Sequence, residues 1–366
     1  MNKRILFLTG ESPDAPGGME HVIRELKRGL EWRGYRIEVL HRHNSAPGWV
    51  ARPKHKWQAY SADLFLGWYL GRTVSDRMGE EVQAILSNSV FGWYLPGVPP
   101  RVKKIHMYHG TYRGVSSAIR PFISAFGAFK LKWWDSMTLE RLSGRGKTML
   151  CNSDQTRHEV QKYFGYEATT VWLPLDTEHF RPLDRSAARV ALSLSQADDI
   201  GMFVGSTQPS KGFPIVRSLI QLLPGVKWIL ALRGEVPDDL KNNPDINVFQ
   251  NASPEILPAL YNAADFTVCP SRYEPFGYVV AEALACGTPA IASPGGASCL
   301  FLAGAPFTTL LVPSADNLNK FYLAAREVLR DPEYYRRCVI ERIRPKIVGT
   351  MSSAIWMDNF CELLGL

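Results

Sequence analysis

Residues 266–297 read FTVCPSRYEPFGYVVAEALACGTPAIASPGGA: an apolar run, a loop, a periodic stretch and a second apolar run. The pattern predicts a strand over 266–269 that ends at Pro270 and Ser271, a helix over 278–285 stopped by Gly287, and a short strand over 289–292. In a parallel α/β sheet the loop from strand to helix lies at the carboxyl end of the strands, where such folds bind ligands. Glu274 sits in that loop. Pro275 suits a helix start because its missing N–H would be unpaired there anyway, and Phe276, Gly277 and Tyr278 then present backbone amides to ligand oxygens. Glu282 falls about a turn further in, where its carboxylate can accept two hydrogen bonds from a vicinal diol such as a ribose. Either glutamate alone reads equally well as a surface residue. The pair around one helix start argues for a polar ligand.

Strand-like and helix-like segments alternate in two successive runs, which argues for two α/β domains with parallel sheets. The first opens with a strand over 3–9, the loop GESPDAPGG, a helix over 19–32 with Val22, Ile23, Leu26 and Leu30 on one side, and a strand over 36–40. The second opens with a strand over 200–204, the loop GSTQPSKGF, a helix over 214–223 and a strand over 227–232. Between them VWLPLDTEHFRPLD, residues 171–184, suits a linker, which places the domains at 1–178 and 179–349.

A chain of 366 residues holds about two domains, each large enough to bury a core. No apolar run approaches the ~18 residues of a membrane helix, and the apolar stretch in MNKRILFLTGES is too short for a secretory signal. A soluble, cytoplasmic protein is expected. Six cysteines, scattered without a CxxC pair, read as reduced core residues. The formal net charge of +7 is uneven: residues 1–180 hold 25 Lys and Arg against 17 Asp and Glu, and the rest hold 17 against 18. No zinc-finger, RRM, KH or basic-zipper pattern accompanies the basic half, so nucleic acid is not the expected partner. A phosphorylated acceptor, or an anionic membrane surface met peripherally at the inner face of the cytoplasmic membrane, fits that charge better.

Three more segments carry candidate chemistry. The loop from Gly205 to Gly212 follows a strand and precedes a helix, so its amides and Lys211 form a natural anion site suited to a diphosphate. Gly17 and Gly18 let a ligand approach the backbone, and Glu20 complements the dipole of the helix start behind them. His109 follows a short apolar strand in IHMYHGTYRG, with Tyr112 and Arg113 as neighbours. Elsewhere, residues 120–147 place Phe122, Phe126, Phe129, Trp133 and Met137 at helical spacing among Arg120, Lys130, Lys132, Arg141, Arg145 and Lys147. That segment fits a core helix or a membrane-surface helix equally, and a second aromatic stretch over 57–69 adds to the membrane reading.

The stretch EPFGYVVAE, with Glu274 first and Glu282 second, resembles the E-x7-E signature of retaining, nucleotide-sugar-dependent glycosyltransferases of the GT-B fold, family 4 (glycosyl transferases group 1). The flanks YNAADFTVCPSRYEPFG and ALACGTPAIAS are also in pattern. The resemblance implies an α/β architecture of two Rossmann-like domains with parallel sheets facing a central cleft. The first would bind the acceptor and the second the nucleotide sugar, with a C-terminal helix, about 350–366, packed back on the first. Asp176, Phe180 and Pro182 match the family's hinge pattern N-x-x-D-x-x-x-F-x-P, although Leu173 and Pro174 replace its leading Asn-Gly.

By the same resemblance Glu282 holds the nucleotide ribose, Glu274 with the Phe276 and Gly277 amides holds the donor sugar, and Gly205, Ser206 and Lys211 meet the diphosphate. GGMEH resembles the family's G-G-x-E-x loop, so Gly17 and Gly18 would reach the donor phosphate. His109, in preference to His106, would face the sugar and orient the reaction. The family usually carries an arginine where this chain has Ser206, and Arg113 or Arg233 is the expected substitute; Arg233 itself stands where the family often has a glycine. The implied activity is that of a retaining hexosyltransferase moving a sugar from a nucleoside-diphosphate donor, UDP-sugar foremost, in cell-envelope polysaccharide synthesis. Its acceptor would be a glycan or a lipid-linked or lipopolysaccharide-type molecule, and neither an obligatory metal nor a cofactor is implied. A nucleotide-sugar-binding protein without transferase activity, a nucleotide-sugar epimerase and a paired-carboxylate glycoside hydrolase are the alternatives.

Overall fold

The computed structural model describes residues 3–15 and 17–366, and for residues 56, 57, 59 and 60 the backbone alone. The chain divides into two compact units, Met1–Pro174 with Trp356–Leu366, and Leu175–Ile355. Each is built on one parallel sheet.

In the first unit the strands are β1 (Lys3–Leu8), β2 (Tyr35–Leu40), β3 (Val82–Asn88), β4 (Lys103–Tyr108), β5 (Thr148–Cys151) and β6 (Thr169–Thr170), in the order β2-β1-β3-β4-β5-β6. Ile5, Leu6, Phe7 and Leu8 are buried in succession, as befits a parallel strand covered on both faces. The helix Gly18–Trp32 turns Val22, Ile23, Leu26 and Leu30 inward, the stripe its sequence predicts. The terminal helix Ser353–Leu364 runs into this unit: Met357 packs so closely on Gly29 that a Cβ there would lie 2.3 Å from its Cε, and Lys103 Nζ donates to the Leu364 carbonyl at 2.6 Å.

In the second unit β7 (Asp199–Ser206), β8 (Val226–Arg233), β9 (Ile246–Gln250), β10 (Phe266–Cys269) and β11 (Ala290–Ala292) run in the order β11-β10-β7-β8-β9. Trp228 and Phe266, both fully buried, meet over Gly201, where a Cβ would lie 2.9 Å from the Phe266 ring. At the amino ends of the strands the buried Asp265 carboxylate accepts from the Ile200 N–H at 2.7 Å and from Arg189 Nη2 at 3.0 Å. That charged centre ties the sheet together at the end away from the loops of interest.

The aromatic segment departs from a single regular helix. Pro121 ends the helix Tyr112–Ile119 in a 3-10 turn, and after Ala125–Phe129 the chain winds as a π-helix over Lys130–Glu140. Phe126 and Phe129 of the short α-helix and Trp133 and Trp134 of the π-helix face solvent, while Leu139 and Glu140 go inward. Lys130 and Lys147 also turn away from that surface: Lys130 pairs with Asp135 at 2.7 Å, and Lys147 Nζ donates to the Gly92 carbonyl at 2.9 Å. Within the 57–69 stretch the Trp57 and Tyr60 side chains lie outside the described residues, and Phe65 meets Trp49 edge-on at 5.0 Å. All six cysteines are free, and Cys299 is exposed where a core position was expected.

Candidate functional site

β7 lies between β8 and β10, so successive strands leave it on opposite sides and a crevice opens outside the carboxyl ends of β7 and β10. Residues 207–212 follow β7 and residues 270–277 follow β10. The two loops touch. The Arg272 N–H donates to the Ser210 carbonyl at 3.0 Å, and Gly212, at φ +72°, sits so close that a Cβ would lie 1.9 Å from the Pro270 oxygen. The result is a direct contact between Lys211 Nζ and Glu274 Oε2 at 2.9 Å.

Behind Glu274 the PGGA turn acts as a cradle. The Gly296 N–H donates to the Glu274 carbonyl at 3.1 Å and the Ala297 N–H to the Phe276 carbonyl at 2.6 Å, while a Cβ on Gly295 would lie 2.6 Å from the Glu274 oxygen. The following helix begins at Tyr278, with Gly277 at φ +92° as its N-cap, so Pro275 and Phe276 belong to the loop and not to the first helical turn. A left-handed glycine sets the start here, and only its missing Cβ makes that cheap.

Glu282 lies in the second turn of this helix and is half-buried. The Tyr261 hydroxyl donates to its Oε2 at 2.7 Å, leaving Oε1 without a hydrogen-bond partner among the described residues. Burial raises the Glu282 carboxyl to about 7, against a smaller lowering by the Tyr261 hydrogen bond. Tyr261, on the helix Leu257–Ala263, was not singled out in the sequence. Its only sequence signal is the flank YNAADFTVCPSRYEPFG, which contains it without marking it. Gly205 and Ser206 end β7, and Ser206 pairs in register with Arg233 on β8.

Gly17, Gly18, Glu20, His109 and Arg113 belong to the other unit. Glu20 folds back over Gly17, where a Cβ would lie 2.0 Å from its Oε2, so the GG pair leaves room for the carboxylate at the helix start. His109 stands just past β4, half-buried, and burial lowers it to about 4, which makes it a neutral hydrogen-bonding imidazole at pH 7. His106 is fully buried inside the sheet, its Nδ1 2.9 Å from Ser87 Oγ. The turn after His109 is held by two buried carboxylates: Thr111 Oγ1 donates to Glu159 Oε2 at 2.6 Å and the Tyr112 N–H to Glu140 Oε2 at 3.1 Å. Neither glutamate lies near His109 in sequence, so no local motif could have shown them. The Arg113 guanidinium lies 4.6 Å over the Tyr163 ring.

Two family models match most of the chain between them: Glycosyltransferase Family 4 over residues 16–179 and Glycosyl transferases group 1 over residues 184–343. The chain belongs to this glycosyltransferase family. A D-inositol 3-phosphate glycosyltransferase of Mycobacterium tuberculosis is 32% identical over 163 residues, 40% of this chain and 34% of its own length. The chain thus spans about a third of the length of the curated relatives it matches. Among solved structures, sucrose-phosphate synthase from Thermosynechococcus elongatus superposes with a TM-score of 0.77 at 19% identity, covering 99% of this chain and 98% of its own. HepE of Anabaena in complex with UDP-glucose gives 0.71 at 15% identity, with 99% of each chain covered. WaaG, a glycosyltransferase involved in lipopolysaccharide biosynthesis, gives 0.73 at 13%, over 98% of this chain and 99% of its own. The two parallel-sheet domains of this family member are those of the GT-B fold.

Proposed function

We propose that the chain is a retaining glycosyltransferase that moves a hexose-type sugar from a nucleoside-diphosphate donor, a UDP-sugar foremost, to a glycan or to a lipid-linked or lipopolysaccharide-type acceptor. The observation that carries the reading is the Lys211–Glu274 contact at the β7/β10 crevice, with Glu282 in the second turn behind it. In this reading the donor separates that pair: the diphosphate takes Lys211, the sugar takes Glu274 with the Gly277 and Tyr278 backbone, and the ribose takes Glu282 Oε1. The leaving phosphate accepts the acceptor's proton on the same face of the sugar, and Lys211 stabilises its charge. Lys211 does here the electrostatic work that a metal does elsewhere, so the reaction is written without one. UDP-glucose bound to HepE supports uridine as the base, and the involvement of WaaG in lipopolysaccharide biosynthesis supports an envelope glycan as the acceptor. A donor panel with the purified protein tests the proposal. Donor-dependent product with a lipid-linked or lipopolysaccharide-type acceptor supports it, and binding of donor without turnover on any acceptor of those classes removes it.

A pH dependence follows from Glu282. Its carboxyl is held up to about 7, so below that pH it is increasingly protonated and loses the charge that draws the ribose hydroxyls. Donor affinity should therefore fall as pH drops from 8 to 6, and Glu282→Gln should flatten the profile. Calorimetric titration with UDP at several pH values reads this directly; a wild-type profile as flat as the variant's would take Glu282 off the ribose.

The aromatic face of the first unit is assigned to peripheral contact with an anionic membrane. Phe126, Phe129, Trp133 and Trp134 are 61%, 59%, 48% and 44% exposed, and Arg120, Arg141 and Arg145 are exposed in the same segment. No helix among the described residues is long and apolar enough to cross a bilayer. The protein should float with anionic vesicles at low salt, and Trp133→Ser with Trp134→Ser should abolish that. Failure of the wild type to float ends the assignment.

A further inference from the structure

We propose that Arg233 is the second cation of the diphosphate site. The inference rests on the donor reading above. A diphosphate brings several negative charges to a crevice where Lys211 is already paired with Glu274, and residues 181–366 carry 17 Lys and Arg against 18 Asp and Glu, so no cationic surplus helps. Charge must come from a cation placed on the rim itself.

Arg233 is the last residue of β8 and pairs in register with Ser206, the last residue of β7. Neighbouring strands lie roughly 4.8 Å apart and in-register side chains leave the same face, so a guanidinium carried at 233 reaches the space that one carried at 206 would fill. The order β10-β7-β8 places the Lys211 loop between the Glu274 loop and Arg233. The stem of Arg233 is also fixed. Gly234 follows at φ +88°, its N–H donating to Asn251 Oδ1 at 3.1 Å and its carbonyl accepting from Gln250 Nε2 at 2.9 Å.

Two other cations of this unit are already engaged. Arg272 pairs with Asp316 and Arg217 with Asp239. The Arg233 guanidinium is exposed and makes neither ion pair nor hydrogen bond with the described residues. Its planar fork can donate to two phosphate oxygens at once. Arg113, the other substitute suggested by the sequence, is stacked on Tyr163 in the first unit.

The test is calorimetry with whichever of UDP, ADP and GDP binds the wild type most tightly, together with the matching monophosphate and nucleoside. Arg233→Ala should weaken the diphosphate roughly tenfold or more, weaken the monophosphate less, and leave the nucleoside unchanged. Adding Ser206→Arg to Arg233→Ala should restore diphosphate affinity to within about threefold of wild type, which a merely structural arginine would not permit. If Lys211→Ala weakens the diphosphate and Arg233→Ala does not, or if Arg233→Ala weakens nucleoside and diphosphate alike, the inference falls and the donor reading stands. If the wild type binds none of the three diphosphates, or Lys211→Ala and Glu282→Gln bind them as the wild type does, the donor reading falls and takes the inference with it.

Discussion

Lys211→Ala should lower kcat by roughly 10²- to 10³-fold while leaving the protein folded. Lys211 closes a 3-10 turn, Pro209–Lys211, whose ends are fixed by the Lys211 N–H donating to the Gln208 carbonyl and the Gly212 N–H to the Pro209 carbonyl, both at 3.0 Å. The ammonium is therefore presented from a rigid support. Its present partner is weakly held: the Lys211 and Glu274 side chains are 42% and 27% exposed, and a pair that open to water contributes little to stability. A diphosphate can displace it. Charge on the leaving phosphate grows towards the transition state, so the loss should appear chiefly in kcat and only modestly in KM. Lys211→Arg keeps the charge and should recover part of the rate. Steady-state kinetics beside a thermal melt decide the matter; a variant with an ordinary melt and a kcat within threefold of wild type would remove Lys211 from the chemistry.

What could be read in the sequence was what local chemistry decides. The apolar runs at 3–9, 200–204 and 266–269 are strands within a residue or two because a strand covered on both faces has little choice of side chain. Glu274 and Lys211 stand out in the sequence because each lies in the loop beyond such a run. Their contact was not legible, since it depends on β10 pairing with β7, a register that no local pattern encodes. The same holds for Ser206 beside Arg233 and for Tyr261 on Glu282. The helix over 278–285 lies where its periodicity puts it, but its opening is the left-handed Gly277 and not Pro275, since both residues are ordinary helix openings. The π-helix over Lys130–Glu140 is a further nonlocal outcome: Glu140 and Ser136 satisfy one another at 2.9 Å while Glu140 holds Tyr112, and the winding accommodates both contacts.

Gly212→Ala should be the most destabilising single methyl that this site can receive. Two costs add. The backbone there has φ +72°, a left-handed conformation that costs an L-residue roughly 1–2 kcal/mol. The added Cβ would also lie 1.9 Å from the Pro270 carbonyl oxygen, a backbone atom that cannot rotate away, so the two loops must separate or the strand end must move. Overpacking of that kind costs a further 1–3 kcal/mol, for a total of roughly 2–5 kcal/mol. Gly225 supplies the control, since it has φ +89° and nothing within 4 Å of the added methyl. Gly225→Ala should thus show the conformational cost alone, about 1–2 kcal/mol. Urea unfolding of both variants separates the terms, and the difference between them is the steric price of bringing Lys211 to Glu274. Equal destabilisation would mean that the loops yield freely, and then Gly212→Ala should also keep its donor affinity; if the loops are as tightly apposed as the Pro270 contact indicates, donor binding is lost with the stability.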